Sequence, residues 1–322
     1  MKLAEISDTI ERLSKPGYGT VKASEVNYIQ ELIVQHKPKS FIEIGMASGI
    51  STGFIAQLLE EHCGGGRLVS MDHDDTFFGD NTKPNGFLFP EIYSGENVDA
   101  ELIKHRIAPD IHEVEGEFDM AFIDAAHEHP WPAIDMMALY PRMSGPKIMV
   151  HHDLALFKVQ ERKPTGTGPK LLFDQFPESH RHRSKANNGN IFSVDLKMPE
   201  SQFESLMIDL LAMPWSIRTP LSEKSIEKIK SMVKQSYSTA LYDHFMRSLE
   251  LNNQVTVAGS TNEQIAQNME KIRRKVAALD AKVGRTYGKT LEIEDTVKNI
   301  QYLVRKGMLR RIISRFSGGN KT

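Results

Sequence analysis

Cysteine, long apolar runs and net charge are all scarce in this sequence, and each shortage excludes a class of protein. A single cysteine, Cys63, in 322 residues rules out an internal disulfide framework and fits a reducing compartment. No apolar run approaches the roughly 18 residues of a transmembrane helix, and the N-terminus lacks the apolar core of a signal peptide. We therefore expect a soluble, cytoplasmic protein whose only membrane contact would be peripheral.

The charge balance argues against a nucleic-acid-binding protein. Forty basic residues oppose 42 acidic ones, which gives a formal charge of −2. Proteins that bind nucleic acid usually carry a basic excess, so we expect no nucleic-acid partner. The length and the 40% of hydrophobic residues allow a large core and more than one domain. A catalytic domain with an appendage is the prediction.

The first 198 residues are predicted to form an α/β domain. Helical segments alternate there with short apolar runs, which is typical of a wound α/β sheet. We predict a first helix capped by Ser24, followed by strands at KSFIEIG, GRLVSMD, EIYSG, FDMAFIDA and KIMVHHD. Asn188 and Gly189 form a hairpin signal between two further strands. The expected fold is a Rossmann-like, mostly parallel sheet that ends in an antiparallel hairpin.

The remaining chain is predicted to be helical in two parts, a charge-rich region over 199–260 and a coiled coil over 261–322. Apolar residues from Met269 to Val304 repeat at alternating spacings of three and four, which is a heptad pattern. This pattern predicts a homo-oligomer. The stretch GRTYGKT interrupts the pattern, so an antiparallel hairpin is the alternative.

The end of the chain, YLVRKGMLRRIISRFSGG, sets apolar residues against arginine and lysine. On a helix, such a segment can lie on an anionic membrane surface. It can equally pack against a neighbouring helix of the coiled coil. Both alternatives stay open at this point.

A glycine loop follows the first predicted strand, in FIEIGMASGIST. Glu43, Gly45 and Gly49 stand there between a strand and a helix, where a backbone passes close to a ligand. A dinucleotide fingerprint is excluded, because Ala47 and Ile50 occupy two of its three glycine positions. The acidic strand end favours a cationic ligand over a pyrophosphate.

The loop, an acidic residue followed by two spaced glycines, resembles motif I of class I S-adenosylmethionine-dependent methyltransferases. That cofactor carries a sulfonium and an ammonium and no phosphate. The resemblance implies that Glu43, Gly45 and Gly49 surround its methionine part and that Ser51 binds the carboxylate. Asp72 ends the next predicted strand, where such folds place an acid on the ribose hydroxyls.

Titratable residues follow two later strands. Asp124 and His127 come after FDMAFI, and His152 and Asp153 come after KIMVH. A polar loop is the simplest reading, but ligands of open α/β sheets bind at the carboxyl ends of the strands. We therefore expect these residues to form one wall of an active site.

Over about residues 24–196 the sequence resembles metal-dependent O-methyltransferases of the catechol type and, more closely, bacterial sugar O-methyltransferases. The resemblance implies that Asp124, His152 and Asp153 hold a divalent cation and that His127 is the general base. His152 departs from the pattern, which more often has an acid there. Mg²⁺ or Mn²⁺ is expected, and Mn²⁺ tolerates nitrogen better.

The expected reaction is methyl transfer from S-adenosylmethionine to a hydroxyl of a sugar or glycan. Two alternatives remain open from the sequence. One is the same chemistry on a catechol or another small aromatic acceptor. The other is a cofactor-binding scaffold without turnover, whose coiled coil recruits partners in glycan assembly.

Overall fold

A computed structural model describes residues 1–15, 18, 21–159, 165–186, 189–217, 222–257 and 298. Residues Met1–Thr256 form one compact unit. The predicted heptad pattern and the basic tail lie outside the described residues, so the coiled coil, the oligomer and the membrane contact stay predictions. Among the described residues, no helix is both long enough and apolar enough to cross a membrane.

The helices and strands alternate through the first two hundred residues. The helices are α1 (Leu3–Leu13), α2 (Ala23–His36), α3 (Ile50–Cys63), α4 (Phe89–Ile92), α5 (Trp131–Leu139), α6 (Gly168–Gln175), α7 (Glu200–Leu211), α8 (Glu223–Ser236) and α9 (Thr239–Val257). The strands are β1 (Ser40–Ile44), β2 (Gly66–Met71), β3 (Thr76–Phe77), β4 (Asp80–Pro84), β5 (Val98–Ile103), β6 (Phe118–Ile123), β7 (Met143–His151), β8 (Arg181–Arg183) and β9 (Phe192–Asp195).

Seven of these strands form one sheet in the order β5-β2-β1-β6-β7-β9-β8. The first five in this order run parallel, while β9 is antiparallel to both β7 and β8. The predicted Rossmann-like sheet with a terminal antiparallel hairpin is therefore confirmed. The chain reverses its direction of winding between β1 and β6. In open α/β sheets the ligand crevice lies beyond the carboxyl ends of the strands at such a switch point.

Both faces of the sheet are covered by helices. One apolar cluster includes residues of α1, α2 and α3, and a second includes residues of α5, α7, α8 and α9. Phe203 of α7 and Phe245 of α9 are almost completely buried in the second cluster. The ring of Phe203 stacks on Tyr140 with 3.8 Å between ring centroids. Helices of the predicted 199–260 region therefore pack on the same core as the sheet.

The third predicted strand was misplaced. Instead of a strand at EIYSG, the structure has the short helix α4, with Pro90 in its first turn, where proline is well tolerated. The edge strand is β5, seven residues further on, and a small hairpin of β3 and β4 precedes both. The sequence VDAELI does not predict a strand, because this strand is only partly buried and therefore lacks a continuous apolar run.

The cap of α2 also differs from the prediction. The helix begins at Ala23 with Lys22 as its N-cap, so Ser24 lies inside the first turn. The backbone N–H of Lys22 donates to a carboxylate oxygen of Glu25 at 2.7 Å. A glutamate at this position satisfies a backbone donor that the helix itself leaves free. Glu25, rather than Ser24, therefore fixes the start of the helix.

Candidate active site

A cleft with a volume of about 760 Å³ opens at the carboxyl ends of the central strands. The loop after β1 and the turn after β2 line one side, and the segment Arg106–Ala108 after β5 extends it. Asp124–His127 after β6 and Asp153 after β7 line the other side. The cleft therefore lies at the switch point of the sheet and brings together residues from both halves of the domain.

The two glycines of the loop after β1 make room for the protein's own backbone. Gly45 has φ +98°, and a Cβ there would lie 2.1 Å from the carbonyl oxygen of Asp124. Gly49 has φ +88°, and its Cβ would lie 2.8 Å from the Cα of Gly86. Gly45 lines the cleft, whereas Gly49 caps α3 and does not. In the structure, glycine is required at both positions because the backbone of Asp124 or of Gly86 lies too close for a side chain. The prediction had instead explained both glycines by the approach of a ligand.

Glu43 lies behind the loop rather than in the cleft. Its side chain is fully buried, and Oε2 accepts hydrogen bonds from the hydroxyls of Thr52 and Ser70. Burial raises the pKa of Glu43 to about 7, although these hydroxyls act in the opposite direction. The predicted direct contact of Glu43 with the cofactor is therefore not what this geometry shows. The residue ties β1 to β2 and to the first turn of α3.

Asp72 and Ser51 both line the cleft, as the prediction requires. One carboxylate oxygen of Asp72 accepts from the N–H of Ala47 at 2.8 Å, and the other accepts from the N–H of Asp74 at 3.0 Å. Ser51 lies in the first turn of α3, where free N–H groups and the helix dipole favour a carboxylate. Asp72 thus also holds the glycine loop in place.

Four predicted residues meet in one cluster at the ends of β6 and β7. Nε2 of His127 lies 3.3 Å from Oδ1 of Asp124 and 3.1 Å from Oδ2 of Asp153. Nδ1 of His152 lies 3.4 Å from Oδ2 of Asp124 and 3.4 Å from Oδ1 of Asp153. Two imidazoles therefore alternate with two carboxylates around a common centre.

The cluster changes the acidity of its members. Burial alone would raise the pKa of Asp124, but the charges of His152 and His127 and a hydrogen bond from His127 hold it well below its ordinary value. Burial alone would lower the pKa of His127, but Asp124 and Asp153 raise it. The same carboxylates raise the pKa of His152 well above its ordinary value, against the effect of its burial. Without another cation nearby, both imidazoles therefore favour the protonated form.

The donor set fits a divalent cation. One ligand atom from each of Asp124, His152 and Asp153 can be chosen so that all three lie within 4.8 Å of one another. Both ring nitrogens of His152 are buried, and neither makes a well-aligned hydrogen bond within the described part of the chain. An imidazole nitrogen with two carboxylates suits Mn²⁺ better than Mg²⁺. A cation bound here would replace the proton on His152.

The sequence analysis missed two residues that surround this cluster. Glu25 of α2 is almost fully buried, and its Oε2 lies 2.9 Å from Nε2 of His152. The side-chain amide of Asn190 donates to Glu25 at 3.3 Å and to Asp153 at 3.0 Å. The sequence does contain a sign of the buried position of Glu25. A helical spacing of four places this charged residue on the same apolar face as Ile29.

Two further cleft residues come from α5. Trp131, which the sequence suggested for stacking or core packing, lines the cleft, and so does Asp135 one turn later. Asp135 is only 4% exposed. Burial raises its pKa to about 7, while the charge of His127 acts in the opposite direction.

One family model matches the central part of this domain. Residues 42–154 match a family model described as a methyltransferase domain. The matched segment begins within β1, ends just after β7, and contains the glycine loop and the acid–histidine cluster. Residues 42–154 are therefore similar to a methyltransferase domain.

Several solved structures resemble the chain. An O-methyltransferase from Bacillus cereus in complex with SAH is 16% identical, over 60% of this chain and 90% of its own, with a TM-score of 0.44. TomG from Streptomyces achromogenes, an O-methyltransferase involved in tomaymycin synthesis, is 16% identical over 60% and 88%, with a TM-score of 0.43. SAH-bound PaMTH1 from Podospora anserina is 15% identical over 61% and 88%, with a TM-score of 0.43. No curated protein sequence matches the chain.

Proposed function

We propose that the protein transfers the methyl group of S-adenosylmethionine to a hydroxyl of a sugar or glycan, with the help of a divalent cation. The observation that carries the proposal is the cluster of Asp124, His127, His152 and Asp153 in the same cleft as the glycine loop. Hydroxyl methylation needs a base and a way to stabilise the alkoxide, and this cluster offers candidates for both.

The cofactor would bind on the β1 and β2 side of the cleft. Ser51 at the start of α3 would receive the methionine carboxylate, and Asp72 would accept hydrogen bonds from the ribose hydroxyls. Gly45 would let the loop turn without touching the chain after β6. Glu43 would not contact the cofactor. It would hold the start of α3, and with it the end of the glycine loop, through its hydrogen bond from Thr52. In this arrangement the methyl group would face the end of β6.

The acceptor would bind beside the cluster. Asp124, His152 and Asp153 would hold the cation. When bound, such an ion lowers the pKa of a coordinated alcohol and fixes its orientation. His127 would accept the hydroxyl proton, since its ring reaches the cleft and Asp124 and Asp153 hold it in place. Trp131 and Asp135 offer an aromatic face and a carboxyl group to a polyhydroxylated acceptor.

Product analysis tests the proposal. The full-length protein is incubated with methyl-labelled S-adenosylmethionine and a panel of sugars, glycan fragments and catechols, with Mn²⁺, with Mg²⁺ or with EDTA. The expected product carries the label on a sugar oxygen, and EDTA abolishes its formation. If only catechol carries the label, the acceptor is a small aromatic compound and not a sugar. Cofactor binding without any labelled product would favour the scaffold role.

A further inference from the structure

Glu25 reaches the cluster from a part of the chain that no sequence motif connects with it. Its carboxylate lies on α2, on the far side of His152 from Asp124 and Asp153. Glu25 is 1% exposed, so its charge is removed from water almost completely. Burying a carboxylate is unfavourable unless charged or hydrogen-bonded partners compensate for it.

The two nitrogens of His152 face different partners. Nε2 lies 2.9 Å from Glu25, whereas Nδ1 faces the space between Asp124 and Asp153 at 3.4 Å from each. A carboxylate can only accept a hydrogen bond, so at this ion-pair distance Glu25 favours the form of the ring that carries its hydrogen on Nε2. That form leaves the lone pair of Nδ1 directed at the cation position.

We propose that Glu25 is a positioning residue for the cation centre, which holds the His152 ring with its Nδ1 lone pair facing Asp124 and Asp153. The proposal rests on the cation proposed above, and it does not depend on the identity of the acceptor. Metal-ligating histidines usually donate their second N–H to a carboxylate or a carbonyl, and such partners orient the ring and raise its basicity as a ligand. Glu25 would fill this role from α2.

Asn190 completes the arrangement. Its side-chain amide donates to both Glu25 and Asp153, and its carbonyl oxygen accepts from the backbone N–H of Ala155 at 2.9 Å. The two carboxylates on opposite sides of His152 are thus joined through one side chain. The chain after β7 and the helix α2 are held in register with each other, which fixes the distance between the ring and its partners.

Glu25→Gln removes the charge that faces His152. It is a suitable test variant because it can preserve the N-terminal cap of α2. Glu25 also accepts the N–H of Lys22, and glutamine can replace glutamate in this capping role. Glu31→Gln, at an exposed position of the same helix, is the matched control for removing one charge from α2. Both variants keep the length of the side chain.

The decisive experiment is a double-mutant cycle with Mn²⁺ binding as its readout. Free Mn²⁺ is followed by electron paramagnetic resonance in the full chain, in Glu25→Gln, in His152→Asp and in the protein with both changes. If Glu25 acts through His152, Glu25→Gln weakens Mn²⁺ binding by roughly 10- to 100-fold when His152 is present. When His152 is replaced by aspartate, the same change weakens it no further, because no ring remains to be oriented.

Two results of this cycle would overturn the role of Glu25, and a separate measurement gives a third. Equal losses of Mn²⁺ affinity with and without His152 would mean a general structural role, and no loss at all would mean no role. Pulsed resonance of Mn²⁺ bound to the unaltered protein guards against a variant that does not fold, because it should detect an imidazole nitrogen. Absence of this nitrogen signal refutes the proposal. Labelled product formed in the presence of EDTA would show that methyl transfer does not need a cation. The cation site and the role of Glu25 would then be refuted, while the proposed transfer reaction would remain.

Discussion

Nε2 of His127 and Oδ2 of Asp153 lie 3.1 Å apart, which connects the chain after β6 to the chain after β7. Asp124 contacts the same nitrogen at 3.3 Å. The ring is therefore held by a carboxylate from each of two neighbouring strands. Such a ring has a fixed orientation toward the cleft, which is what a general base requires. The contact also means that base and cation ligands share their carboxylates.

Replacement of His127 by alanine should reduce turnover and spare cofactor binding. The side chain lies between the carboxylates of Asp124 and Asp153, which follow β6 and β7. Loss of a general base typically lowers the rate by about 10²- to 10⁴-fold. We expect this loss in kcat, and an unchanged Kd for S-adenosylmethionine by calorimetry. A His127→Ala enzyme with wild-type turnover would show that another group accepts the proton.

Asp72→Ala should weaken S-adenosylmethionine binding by roughly 1.5 to 3 kcal/mol, the usual loss for hydrogen bonds to a charged group. The carboxylate would be lost from the ribose, and the glycine loop would lose its bond to Ala47. Calorimetry of the purified protein measures the effect. Asp75→Ala, in the same turn but outside the cleft lining, is the control and should bind the cofactor normally. Equal affinities in the two variants would exclude Asp72 from the cofactor site.

The central sheet and the cluster were predictable because both depend on local patterns. Buried strands such as FDMAFI appear as apolar runs, and the polar residues after them must lie at one edge of a parallel sheet. The contact between Glu25 and His152 joins residues far apart in sequence, and it depends on how α2 packs against the sheet. The same holds for Asn190, which follows a turn and carries no motif of its own.

The loop glycines show a second limit of sequence reasoning. The pattern around Gly45 and Gly49 correctly placed a loop between a strand and a helix. The neighbours that require glycine there, Asp124 and Gly86, are set by the tertiary fold. The role of Glu43 was likewise hidden, because a sequence does not show whether a carboxylate faces the cleft or the interior.

Gly45→Ala should be far more destabilising than Gly64→Ala. Both glycines have positive φ, at +98° and +73°, so alanine is strained at either position. At Gly64 the added Cβ meets nothing within 4 Å, and the loss should be about 1 kcal/mol, the conformational term alone. At Gly45 the Cβ would collide with the carbonyl of Asp124, so the loop or the end of β6 must move. Urea unfolding compares the two variants, and equal losses of stability would contradict the predicted collision.

Asp135→Asn should stabilise the protein increasingly as the pH rises. Burial raises the pKa of Asp135 to about 7 from an ordinary 3.8, against the opposing effect of the His127 charge. Between these two values the folded protein holds a proton that the unfolded chain has released. The free energy of unfolding of the wild type should therefore fall as the pH rises from about 4 to about 7, by an amount on the order of 4 kcal/mol from this group. Asparagine cannot ionise, so the variant lacks this loss.

Urea unfolding at several pH values between 4 and 8 measures the difference between Asp135→Asn and the wild type. Taking this difference removes the contributions of the titrating groups that do not interact with Asp135, because both proteins share them. The gap should be smallest near pH 4, widen as the pH rises toward 7 and stay constant above. Asp99→Asn, at an exposed position of β5, controls for the substitution itself. Curves for Asp135→Asn and wild type that run parallel over the whole range would mean that Asp135 ionises in the folded protein as easily as in the unfolded chain.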